Sequence, residues 1–144
     1  CLAQLQPDER KAMQAGKSIL TRRQSLESIF DFDALRGLVK HVGDDILLES
    51  ITEFANETSQ MLEEIDAAYK IENWPVIRSH AHTLKGNAGT FGLKRLSNIA
   101  RLLESDLKID KLAALPKQLE ELRNAANQFL ESYPNLSKNH DWKN

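Results

Sequence analysis

Four stretches of this chain repeat core-type residues at helical spacing, and no stretch alternates with the period of two that a half-buried strand needs. The first stripe is Leu47, Ile51, Phe54, Thr58, Leu62 and Ile65, and the second is Ile77, Ala81, Leu84, Ala88 and Phe91. Leu96, Ile99, Ala100, Leu103 and Leu107 make the third, and Leu115, Leu119, Leu122, Ala126, Phe129 and Tyr133 the fourth. Each stripe can leave water only by packing on another, and the connections are short. The pattern therefore predicts an all-α, antiparallel up-down four-helix bundle. An additional short N-terminal helix is expected from Phe32 to His41, stopping at Gly43.

Punctuation sets the remaining boundaries. Asp44 is the expected N-cap of a long helix reaching about Tyr69. Asn73 and Pro75 open the next helix, where proline's missing amide does no harm, and Gly92 ends it. Pro116 belongs in the first turn of the last helix and Pro134 stops it. The bundle thus covers residues 32–133. Residues 1–31 read as a linker or accessory helix, with a basic cluster at Lys17, Arg22 and Arg23 and only sparse apolar positions. Residues 134–144 are polar and expected to hang loose unless Trp142 docks.

Composition removes several function classes. A net charge of −2, with 28% charged residues, offers no basic field for nucleic acid or an anionic membrane. No apolar run approaches the roughly 20 residues needed to span a bilayer, and no signal peptide is visible. The only cysteine is Cys1, so neither an internal disulfide nor a cysteine zinc site can form, which suits a cytoplasmic setting. Without an initial Met, the chain reads as a piece of a longer protein.

The segment from Arg78 to Gly92 carries the chemistry. His82, Lys85, Gly86 and Gly89 lie at i, i+3, i+4 and i+7, one stripe on the side opposite Ile77, Ala81, Leu84, Ala88 and Phe91. A glycine inside a helix costs about 1 kcal/mol relative to alanine. Two of them beside a histidine and a lysine suggest a nucleophile that a large partner must reach. His80, about 200° around the helix from His82, diverges from it and reads as a partly packed histidine. His41 and His140 read as ordinary surface residues.

His82, Lys85, Gly86 and Gly92 match the pattern of histidine-containing phosphotransfer (HPt) domains: His-x-x-Lys-Gly, with a further Gly ten residues after the His. The resemblance extends over roughly Phe32 to Tyr133. It implies a histidine phosphorylated on the ring of His82, with Lys85 supplying positive charge to the phosphoryl oxygens. It further implies a receiver-docking surface at Gly86 and Gly89, to which Arg78, Asn87 and Arg101 are candidate contributors, while Gly92 is structural. Asn87 stands where the family often has Ser or Ala. The run from Lys85 to Gly92 also looks like the first domain of the chemotaxis histidine kinase. There a carboxylate at the place of Glu104 hydrogen-bonds the phosphorylated histidine, against the alternative of a solvated surface glutamate.

The implied partners are response-regulator receiver domains, in the same polypeptide or another, which bring their own Mg ion. This domain itself needs no cofactor and no metal. Nothing resembles a nucleotide-binding glycine loop, so no ATP-dependent activity of its own is expected. The expected context is the C-terminal segment of a hybrid sensor kinase, followed by a free-standing relay protein and then by a chemotaxis-kinase first domain. From other classes come a helical interaction module without chemistry and a dimerising kinase domain. One chain supplies enough amphipathic helices for its own bundle, which favours a monomer.

Overall fold

The computed structural model describes residues 26–138 and 141–143, so the expectations for the basic cluster and for His140 lie outside the described residues. Its helices are α1 (Phe32–Val42), α2 (Asp44–Lys70), α3 (Trp74–Thr90), α4 (Lys94–Lys108), α5 (Leu115–Ser132) and α6 (Asn135–Lys138). A 3-10 turn at Asp141–Lys143 follows, and residues 26–29 form one helical turn ahead of α1. No strand occurs among the described residues.

α3 packs on both α2 and α4, α4 on α5, and α5 back on α2, which closes the four-helix bundle. Residues 71–73, 91–93 and 109–114 are the connections, too short for anything but antiparallel neighbours. Of the apolar stripes, Ile77, Ala81, Leu84 and Ala88 are wholly buried, as are Ala100, Leu103, Ala126 and Phe129. Phe54 on α2 meets the turn after α3 and the α5 helix, its ring centroid 5.6 Å from Phe91 and 5.3 Å from Phe129.

Two helix starts depend on residues around the expected caps. Gly43 takes φ +83, a left-handed value that suits glycine, and serves both as C-cap of α1 and as N-cap of α2. Asp44 is therefore not the cap but the first helical residue, where its charge still favours the positive end of the helix dipole. The side-chain cap sits instead at Asp31, whose Oδ1 accepts from the amides of Asp33 (3.0 Å) and Ala34 (3.4 Å) to start α1.

The ends of the described chain join the core. Leu26 and Phe30 are buried, and Phe30 meets Phe129 edge-on at 6.0 Å, so the hydrophobic core begins ahead of Phe32. The described part of the tail does not hang loose. Leu136 and Trp142 are both buried, the indole lying against Phe32 at 6.5 Å. Trp142 Nε1 donates to the Leu136 carbonyl at 2.8 Å, and Arg36 Nη1 donates to the Trp142 carbonyl at 3.0 Å. A polar-looking tail docks because its two large apolar side chains, Leu136 and Trp142, both leave water, the indole against α1.

Candidate functional site

α3 presents His82 because the residues one before and two after it, Ala81 and Leu84, are locked into the core. The imidazole consequently stands out from the bundle, with 70% of the side chain exposed. Its Nδ1 lies 2.8 Å from Glu104 Oε2 on α4, the geometry of an Nδ1–H donor and a carboxylate acceptor. Glu104 is not a solvated surface residue, since only 4% of its side chain is exposed.

The other oxygen of Glu104 is shared. Lys85 Nζ donates to Oε1 at 3.1 Å from α3, and Lys108 Nζ lies 3.2 Å from the same atom, one turn on along α4. Burial alone would push the Glu104 carboxyl up. The contacts from Lys85, Lys108 and His82 outweigh it and hold the group at about 2, well below the ordinary carboxylate value. Glu104 is thus a carboxylate throughout the neutral range.

Ser97 Oγ ties the two helices together by donating to the Lys85 carbonyl at 2.9 Å, while Thr90 Oγ1 donates back within α3 to the Gly86 carbonyl at 3.0 Å. Gly86 is exposed, and a Cβ there would meet nothing within 4 Å. At Gly89 a Cβ would lie 3.4 Å from Ser97 Oγ, an ordinary contact. Packing therefore requires glycine at neither position. Gly92 differs: it takes φ +73, and a Cβ there would come within 3.0 Å of the Asp31 backbone oxygen.

An open groove of about 490 Å³ runs beside the imidazole, with Pro75, Arg78, Thr83 and Lys108 around His82 and Glu104. Arg78 thus falls next to the histidine, and Arg101 is exposed on α4 away from the groove lining. Asn87 is half-buried and lies about 140° round the helix from His82, so it does not share that face. His80 is half-buried too, its Nε2 2.7 Å from Glu64 Oε2, and His41 is exposed. In the sequence Lys108 and Ser97 fall only in a polar stripe with Glu104, at i+4 and i−7 from it. Their contacts depend on how closely α4 approaches α3, which periodicity does not specify.

Among the described residues no cluster of His, Cys, Asp and Glu is arranged to hold a metal ion, and no helix is long and apolar enough to cross a membrane. A search of curated proteins and one of solved structures found no match to the chain. The family model of the Hpt domain does match, over residues 49–132. That span runs from α2 to the end of α5 and takes in every side chain of the cluster. By that match, covering all four helices of the bundle, the chain belongs to the Hpt domain family, whose members perform histidine phosphotransfer in phosphorelays and interact with receiver domains.

Proposed function

We propose that His82 is the phosphoacceptor and that this chain takes a phosphoryl group from the aspartate of one receiver domain and hands it to another. The observation that carries the reading is the 2.8 Å contact between an exposed imidazole and a nearly buried carboxylate. Glu104 engages Nδ1–H, which selects the tautomer whose lone pair is on Nε2. That lone pair forms the N–P bond while the P–O bond to the receiver's aspartate breaks, and the bonding pair leaves with the aspartate carboxylate. The ring becomes an imidazolium whose charge Glu104 stabilises. Delivery to the second receiver is the same step in reverse.

Phosphoryl transfer asks chiefly for in-line positioning and neutralised oxygens. Lys85, one turn from His82, supplies charge, and Gly86 leaves the room a receiver's loops need. The Mg ion belongs to the receiver in this scheme. The setting we favour is the cytoplasmic phosphotransfer segment of a hybrid sensor kinase, acting as a monomer. A second reading is favoured by the same Glu104 contact, which resembles the first domain of a chemotaxis kinase, where a separate ATP-binding domain would be the donor.

Incubation with a phosphorylated receiver tests the proposal. The expected result is an acid-labile, alkali-stable label that is absent from His82→Gln. A chain left unlabelled by several activated receivers, or a His82→Gln variant that still takes label, overturns it. Labelling by an ATP-binding kinase domain but by no receiver would select the second reading.

A further inference from the structure

We infer that Lys108 is a positioning residue for the transfer: it shares Glu104 with Lys85 and so leaves the site with the surplus positive charge that an incoming phosphoryl group requires. The inference rests on His82 being the acceptor and adds a residue outside the His-x-x-Lys-Gly pattern.

Glu104 is negative, Lys85 and Lys108 are each positive, and all three meet at one carboxylate. If Lys85 were the carboxylate's only cation, the two charges would cancel, and Arg78 on the groove wall would be left to meet the phosphoryl group. Transfer brings in one net negative charge, because the phosphoryl group becomes dianionic as the ring becomes cationic. With Lys108 present, the cluster starts with one surplus positive charge and ends neutral. Without it, the cluster starts neutral and ends negative.

The geometry also allows an exchange of partners. Both ammonium groups reach the same atom, Glu104 Oε1, at 3.1 and 3.2 Å. Lys108 can therefore keep the carboxylate in place while Lys85, on the same helix as the histidine, turns to the phosphoryl oxygens. Surface i,i+4 pairs ordinarily contribute little, because water screens both charges. This one differs because the carboxylate is almost wholly out of water and is already engaged by two other groups. Lys108 itself is 58% exposed and stands beside the groove at His82, within reach of what enters there.

The test compares Lys108→Met, which keeps an unbranched apolar stem and loses the charge, with Lys108→Arg, which keeps the charge. Wild-type protein is first labelled on His82 by a phosphorylated receiver; failure at this step sinks the acceptor reading itself. Label is then partitioned to equilibrium between receiver and chain, and the single-turnover rate is measured at saturating receiver. Lys108→Met should lower the phosphohistidine share and the rate roughly ten-fold, with higher salt narrowing the gap. Lys108→Arg should restore most of both. A Lys108→Met variant that partitions label like the wild type overturns the inference. So does an effect confined to the half-saturating receiver concentration, which would make Lys108 a docking contact only.

Discussion

His82 and Glu104, 22 residues apart and on different helices, are joined at 2.8 Å through a carboxylate that water scarcely touches. That carboxyl is held at about 2, so its proton count differs between the folded and unfolded chain in acid. Between about 2 and its ordinary value of 4.5, the unfolded chain binds the proton and the folded chain does not. Stability linked to Glu104 is therefore complete above pH 4.5 and is lost as pH falls towards 2.

The first prediction is that Glu104→Gln flattens the acid limb of the stability curve. Asp31 and Asp44 complicate the wild-type curve, because the hydrogen bonds from Lys94 and Lys143 hold each below its ordinary range. The difference between wild type and variant isolates Glu104. Urea denaturation from pH 6 down to about pH 2.5 should show the two curves converging in acid. Parallel curves across that range would mean the carboxylate is not specially held.

Gly86 separates stability from function. Its Cβ position is empty, and the helix sacrifices about 1 kcal/mol by keeping glycine there. Gly86→Ala should accordingly raise stability by ~0.5–1 kcal/mol in a denaturation experiment. Gly86→Gln should also fold, yet slow transfer from a phosphorylated receiver sharply, since its side chain would occupy the face beside His82. Normal transfer by the Gln variant would remove the docking role from this glycine.

Gly92 should respond in the opposite sense. Alanine there would have to adopt φ near +73 and would press its Cβ against the backbone of Asp31, whose amide donates to the Gly92 carbonyl at 2.8 Å. The left-handed conformation alone costs roughly 1–2 kcal/mol for a residue with a Cβ, and the backbone contact adds to it. Gly92→Ala is expected to lower the denaturation midpoint clearly, while whatever remains folded still accepts phosphate. A midpoint equal to that of Gly86→Ala would show that the turn tolerates a side chain.

The sequence displays the bundle because four helical stripes admit few other burials, and it displays His82 and Lys85 because their spacing places both on the side away from Ile77 and Leu84. What it conceals has identifiable physical causes. Glu104 enters through the family resemblance alone, because its neighbours Arg101, Ser97 and Lys108 on α4 are polar and the close approach of α3 is what buries it. α2 and α4 end without glycine, their turns being made by Glu72 at φ 56 and Asp110 at φ 54, conformations with no strong residue signature at glutamate. Asp31 went unread as the cap of α1, and its role in bracing Gly92 and pairing with Lys94 depends on tertiary approach.

The docked tail supplies the last prediction. Trp142 is 1% exposed although it lies in a stretch whose composition is that of a loose end. Three contacts keep it there besides the Phe32 ring: Nε1 to the Leu136 carbonyl, Arg36 to its own carbonyl, and Lys143 to Asp44 at 2.6 Å, which ties the turn to the start of α2. Arg36 is itself oriented by Asp33, one turn earlier on α1. Removing the indole should therefore loosen α1 from the bundle as well as empty its own site. For a buried tryptophan the expected cost of Trp142→Ala is about 3 kcal/mol or more, read by urea denaturation. Hydrogen exchange should quicken in residues 32–42 while α3 and α4 stay protected, since the ring contact to Phe32 and the hydrogen bond from Arg36 both tie Trp142 to α1. Transfer to and from His82 should be unchanged below the unfolding transition. A stability loss under about 1 kcal/mol would show that the tail rests on the bundle without bracing it.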